Sequence, residues 1–134
     1  MFETAHEVLR TYKKFALLGA SQDPERFGHE VFEAFHTNGY ALQPINPKYP
    51  DIDGHPCFPS LVALPERPEV VIVALGPAVT ERVIPEVLES GAKVIWMPPG
   101  CFTDAAVQAC QAAGVRELHD ICPVSALGAM CAKS

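Results

Sequence analysis

Short, mostly apolar runs, separated by longer stretches with helical spacing, restrict this chain to one broad architecture. The runs are Phe15 to Leu18, Ala41 to Ile45, Val70 to Leu75 and Lys93 to Met97. A strand that is apolar on successive residues is covered on both faces, and alternating such strands with helices is what a parallel sheet with crossover connections requires. The pattern predicts an α/β fold: an open parallel sheet of about five strands with helices on both faces. Val70 to Leu75 and Lys93 to Met97 are expected at or near its centre. The weaker run Val115 to Leu118 is expected near an edge.

The intervening stretches read as helices. Phe27, Val31, Ala34, Phe35 and Asn38 share one face, and Gly39 follows where a helix would stop. Val79, Val83 and Val87, with Ile84 and Leu88, mark a second helix ending at Gly91. Pro85 lies inside it, so the helix is either kinked there or regular only from Pro85 onward. Thr103 reads as an N-cap, with Asp104 in the first turn and a helical run from Ala105 to Ala113. Phe2, Ala5, Leu9 and Tyr12 share a face, which makes residues 1–13 a leading amphipathic helix laid against the domain. The proline-rich connection from Asn46 to Pro59 has no helical period and reads as a long ordered loop. No element is assigned beyond Leu118. With 134 residues, no linker and no repeat, residues 1–134 are expected to form one domain.

Charge and cysteine usage narrow the function classes. Sixteen acidic against ten basic side chains give a net charge of −6, which disfavours a broad phosphate-tracking surface for nucleic acid. No apolar run approaches the roughly 20 residues needed to cross a bilayer, and the first residues resemble no secretory or transit signal, so the expected partners exclude membranes and the expected location is the cytoplasm. Five scattered cysteines without a Cys-x-x-Cys pair fit reduced thiols.

In open parallel sheets, ligands bind at the carboxyl ends of the strands where the strand order reverses, so the loops after residues 19, 45, 75 and 97 carry the functional expectation. After the first strand, Gly19, Ala20, Ser21, Arg26 and Gly28 place glycine, a hydroxyl and a guanidinium just before a helix start, an arrangement that favours a phosphate. An ordinary strand-to-helix turn would use the same glycine and serine. The Gly-x-Gly-x-x-Gly dinucleotide fingerprint is missing, and after the second strand Asn46, Pro47 and Lys48 stand where an NAD site would place an acid. Asn46 can bond a ribose or base, and Lys48 favours a phosphate over a bare diol; a plain turn with a solvated lysine is equally compatible.

Gly19-Ala20-Ser21, Asp23-Pro24, Gly39-Tyr40, Pro44-Ile45-Asn46-Pro47-Lys48, Gly54, Phe58-Pro59-Ser60-Leu61 and Gly91-Ala92-Lys93-Val94-Ile95-Trp96-Met97 follow one another in an order that closely resembles the small single-domain CoA-binding proteins. These are similar to the nucleotide-binding domain of the succinyl-CoA synthetase alpha subunit. The resemblance runs from about Phe15 to about Gly128. It implies a Rossmann-like sheet that binds coenzyme A or an acyl-CoA, with Gly19, Ser21 and Arg26 at phosphates, and Asn46 and Lys48 at the ribose phosphate. It also implies an adenine shelf at Leu75, Gly76 and Pro77. Met97 and Pro98 would lie toward the pantetheine, although Pro98 and Pro99 depart from the glutamine and leucine of many relatives. The ligase works through a phosphorylated histidine in a second domain, so the resemblance implies a binding module (carrier, sensor or subunit) without catalysis of its own.

Two other readings of the residues stay open. An NADP-dependent oxidoreductase or regulator would use Lys48 for the ribose phosphate and Arg26 for the pyrophosphate. A thiol redox switch would be built on Cys101, placed before a helix start where a thiol pKa is lowered, or on Cys122. Cys110 is expected in the core, and Cys57 and Cys131 on loop or tail with nothing beside them. His119 and Cys122 could pair as base and nucleophile, but the sequence shows no third orienting group. With His55 and Cys57 they lack finger-type spacing, so no metal site is expected. His29 and His36 read as surface or packing residues and His6 as uninformative. Whether the apolar first helix mediates a homodimer is left open.

Overall fold

The computed structural model describes residues 2–132. Seven strands and five helices follow in chain order: α1 (Glu3–Thr11), β1 (Lys14–Leu18), α2 (Phe27–Thr37), β2 (Ala41–Ile45), β3 (Asp51–Ile52), β4 (His55–Pro56), β5 (Val70–Val73), α3 (Pro77–Glu89), β6 (Val94–Met97), α4 (Asp104–Ala112), β7 (Arg116–His119) and α5 (Pro123–Ala132). Five strands form one sheet in the order β2-β1-β5-β6-β7, every pair parallel. The expected fold is present, with β5 at the centre, β6 beside it and β7 at an edge.

Covered faces explain the apolar runs. On one side of the sheet Phe15, Leu17, Val70, Ile72, Val94 and Trp96 pack against α1, α2 and α5. On the other, Ala16, Val71, Val73, Ile95 and Met97 pack against α3 and α4. Because successive strand side chains point to opposite faces, each central strand supplies both cores and no position is left for a polar residue. All eight residues of β5 and β6 are buried.

Several local expectations are met at the level of single bonds. The Thr103 side chain accepts a hydrogen bond from the Ala106 N–H at 3.1 Å, capping α4 as its sequence suggested. In α1 the buried residues are Ala5, Val8 and Leu9, an apolar stripe seated beside α5.

Others are corrected. α3 starts at Pro77, in its first turn, and runs through Pro85; regular helix beginning only at Pro85 is not what forms. Pro85 lies on the exposed side, where water can reach the carbonyl it leaves without a donor. The buried stripe of α3 is Thr80, Ile84 and Val87, so Val79 turns outward at 37% exposure. The Asn46–Pro59 connection holds a small antiparallel hairpin, β3 with β4, around Asp53 and Gly54. Both turn residues have positive φ, 49° and 85°, as a two-residue hairpin turn demands. The Asp-Gly pair was the available signal. α5 also went unassigned, although Pro123 is well placed to open a helix.

Candidate functional site

The chain leaves β1 toward β2 on one side and returns to β5 on the other, so the strand order reverses between β1 and β5. At the carboxyl ends of these strands lies a cleft of about 520 Å³. Four loops wall it. Gly19 and Ser21 come from the turn after β1, Asn46, Lys48 and Tyr49 from the segment after β2, Ala74 to Gly76 from the link into α3, and Gly100 and Cys101 from the turn after β6. Arg26, Phe27 and Gly28 bring the N-terminus of α2 to the same opening.

Two glycines make this approach feasible. Gly19 has φ +87°, and a Cβ there would press into the backbone carbonyl of Ala74. A Cβ on Gly28 would overlap the carbonyl oxygen of Gly19 and lie 2.9 Å from its carbon. The first turn of α2 therefore packs directly on the end of β1, with no side chain between them. Such contact is the role that the last glycine of a dinucleotide fingerprint performs, reached here with different spacing.

The polar groups of the cleft divide into those that hold the loops and those that face outward. Gly19 and Ala20 both donate their N–H groups to the Ile45 carbonyl, at 3.2 and 3.3 Å, which ties the first turn to β2. Asn46 donates from Nδ2 to the Ala20 carbonyl at 2.8 Å, and its Oδ1 accepts the Lys48 N–H at 2.9 Å. Asn46 thus joins the two loops while lining the cleft. Ser21 accepts the Asp23 N–H at 3.0 Å, and Asp23 accepts the Glu25 N–H at 3.0 Å. No side chain caps α2, and Arg26, Phe27 and Gly28 at its start line the cleft, where the helix dipole favours an anion. The two cations flank that helix end. Arg26 is 77% exposed with Nε 3.9 Å from Asp23, and Lys48 lies over the Tyr49 ring at 5.5 Å.

Of the residues expected at a ligand site, Gly19, Ser21, Arg26, Gly28, Asn46, Lys48, Leu75 and Gly76 line this one cleft. Ala20, Met97 and Pro98 are buried beneath it, while Pro47 and Pro77 are exposed and outside the lining. Cys101, considered as a partner for the CoA thiol, also lines it, and so do Asp23, Phe27, Tyr49, Ala74 and Gly100, which were not expected to. Their places depend on how four loops converge, which no local sequence pattern encodes.

Some of the thiols depart from expectation. Cys101 is 9% exposed, and burial pushes its thiol up despite a hydrogen bond from the Leu75 backbone, so the lowering expected before a helix start is outweighed. Cys110 is fully buried, as expected, and its thiol is pushed up to about 11. Cys57 is not isolated: its Sγ donates to the Asn46 carbonyl at 3.6 Å, and burial raises its pKa. Nor is Cys131, whose Sγ lies 3.2 Å from Asn38 Oδ1. Since only the thiolate alkylates, Cys101 and Cys110 of the folded protein should react more slowly than a free cysteine at pH 8, with rates that climb as pH approaches 11 at Cys110. Iodoacetamide labelling followed by peptide mass spectrometry measures this, and fast labelling of Cys101 at neutral pH would contradict it.

At the carboxyl end of β7, His119 Nδ1 lies 2.7 Å from a Glu117 carboxylate oxygen, and the His119 ring packs against Phe102 at 5.2 Å. Glu117 holds the His119 ring at the end of β7. His6 Nε2 lies 2.9 Å from the Ala126 carbonyl and ties α1 to α5.

Comparison with known proteins turns this geometry into a family assignment. The model for the CoA binding domain matches residues 13–127, spanning all five parallel strands and the cleft. The chain belongs to the CoA-binding domain family. It is 29% identical over 116 residues to "Uncharacterized protein YneT" of Bacillus subtilis (strain 168), covering 87% of this chain and 86% of that one. Over 77 residues it is 29% identical to "Acetate--CoA ligase [ADP-forming] I" of Archaeoglobus fulgidus, covering 58% of this chain but 11% of the ligase. Among solved structures, a "hypothetical protein from Pyrococcus horikoshii OT3" superposes with a TM-score of 0.91 at 31% identity, over 98% of this chain and 92% of that one. The family member is thus homologous to the CoA-binding domain of ADP-forming acetyl-CoA synthetases, as the resemblance to the succinyl-CoA synthetase domain implied. Among the described residues no helix is long and apolar enough to cross a membrane.

Proposed function

We propose that this CoA-binding domain protein binds coenzyme A or an acyl-CoA in the cleft at the β1/β5 reversal and acts as a carrier, sensor or subunit without catalysis of its own. One observation carries the reading. The uncapped N-terminus of α2 opens onto a cleft flanked by two exposed cations, Arg26 and Lys48, on neighbouring loops. Coenzyme A presents a pyrophosphate and a separate ribose phosphate, and two cationic loops at one cleft offer a group for each. The α2 terminus with Ser21 and Arg26 would meet the pyrophosphate, and Lys48 the ribose phosphate. Leu75 and Gly76 offer a shelf for the adenine. The ligase activity of the larger relatives belongs to proteins of which this chain spans about a tenth.

Titration calorimetry of the purified protein with CoA, dephospho-CoA, NADPH, NADH and ATP tests the reading. CoA should bind most tightly, and its affinity should fall as salt screens the two cations. Preference for NADPH over CoA would favour the pyridine-nucleotide alternative, and no binding of any nucleotide would defeat both. Lys48→Ala should weaken CoA by about tenfold or more, the range of one charge-assisted contact, and leave dephospho-CoA within about twofold. Equal losses for the two ligands would move Lys48 away from the ribose phosphate.

A further inference from the structure

A second group of chemically capable side chains lies away from the cleft, where α2 meets the β3–β4 hairpin. His29 is 7% exposed, and its Nε2 lies 2.9 Å from an Asp53 carboxylate oxygen. Its Nδ1 lies 3.9 Å from a Glu33 carboxylate oxygen, one helical turn along. One ligand atom from each of the three residues falls within 4.8 Å of the others. We propose that His29, Glu33 and Asp53 form a binding site for a borderline divalent cation of the zinc class.

Three features support this assignment. Histidine and glutamate four residues apart on a helix project from one face, the spacing by which helices chelate metals. One imidazole with two carboxylates is a donor set that zinc accepts, and three protein ligands leave a coordination position for water. The approach is open, because a cavity of about 480 Å³ reaches His29 and Glu33, and Glu30 on the same wall adds negative charge. The donors also differ in mobility in a useful way. His29 is held in place by burial, Asp53 is presented by a tight turn at φ 49°, and Glu33 is exposed and able to swing in. A bound ion would replace the His29–Asp53 hydrogen bond with a stronger link between α2 and the hairpin. Asp53 reaches His29 only through the β3–β4 hairpin, so this grouping exists only in the folded chain.

The test uses the full chain, freed of metal with a chelator, and Zn²⁺ alone as the probe. Calorimetry should show one Zn²⁺ per chain, with the unfolding midpoint rising as Zn²⁺ is added. Asp53→Asn preserves the turn, because asparagine tolerates positive φ, and it retains an acceptor for His29. Glu33→Gln changes an exposed side chain. Each should weaken Zn²⁺ by more than about tenfold, the lower bound for losing even an outer-shell partner. His36 and His55, whose rings lie 4.1 Å apart on the same helix–hairpin contact, are the nearest competing donors. His55→Ala should leave the affinity unchanged. Full Zn²⁺ affinity in both Asp53→Asn and Glu33→Gln would overturn the proposal, whether the ion then proved to sit on His55 or on thiols. A drop in the metal-free midpoint of these variants with unchanged Zn²⁺ binding would likewise reduce the three residues to a hydrogen-bonded staple.

Discussion

Replacing Trp96 with alanine should destabilise the protein by about 3–5 kcal/mol, and by more once the stranded polar group is included. Trp96 is fully buried on β6, among the largest side chains of the core beneath α1, α2 and α5. Its Nε1 donates to the Ile121 carbonyl at 2.8 Å, which fixes the segment between β7 and α5. Alanine would leave a cavity and also deprive a carbonyl of its partner, a further cost of about 1–3 kcal/mol if water cannot reach it. Against a total stability of about 5–15 kcal/mol for a domain, the variant should be largely unfolded or close to it at 37 °C. Urea denaturation followed by circular dichroism measures the loss. Trp96→Phe keeps most of the volume and should lose less, so the difference between the two variants separates packing from the hydrogen bond. A midpoint for Trp96→Ala within experimental error of the parent would show that the core under α5 is not what holds the sheet.

Gly28→Ala is the second large effect, and its sign is the informative part. Within a helix, glycine to alanine ordinarily stabilises by up to about 1 kcal/mol. Here the new methyl group would overlap the Gly19 carbonyl oxygen, a backbone atom that cannot rotate away. Either α2 retreats from the end of β1 or the Gly19 turn gives way, and Gly19 is itself locked against Ala74. The expected cost is about 3 kcal/mol, the upper end for one added methyl group. Either escape displaces a wall of the cleft, since Gly19 and Gly28 both line it, so CoA should no longer bind at concentrations that saturate the parent. A thermal midpoint at or above that of the parent would mean that helix and strand end are less closely packed than described, and unimpaired CoA binding would detach the cleft from the α2 terminus.

These two sites show how unevenly the sequence speaks. Consecutive apolar residues at 70–75 and 94–97 could satisfy only a strand covered twice, so the parallel sheet, its central strands and its covering helices were legible. The Thr103 cap was equally legible, because capping is decided within one turn of chain. The hairpin at Asp51–Pro56 and helix α5 passed unnoticed, since two-residue strands have no periodicity to detect and a helix rich in small apolar residues shows little contrast between its faces.

Within the cleft, the sequence by itself determined which residue types were available: a glycine turn, a helix start, and two cations on successive connections. Where those groups point was decided only by the tertiary structure. Asn46 bridges the Ala20 carbonyl and the Lys48 N–H, partners that the sequence does not show. Cys101, for which activation by a helix end was one of two readings, has its thiol raised by burial. His29, read as packing or surface, meets carboxylates from its own helix and from a hairpin 24 residues away. The physical reason is common to all three. Periodicity and capping act between residues close in the chain, whereas hydrogen-bond partners and burial are settled by segments that meet only after the sheet has assembled.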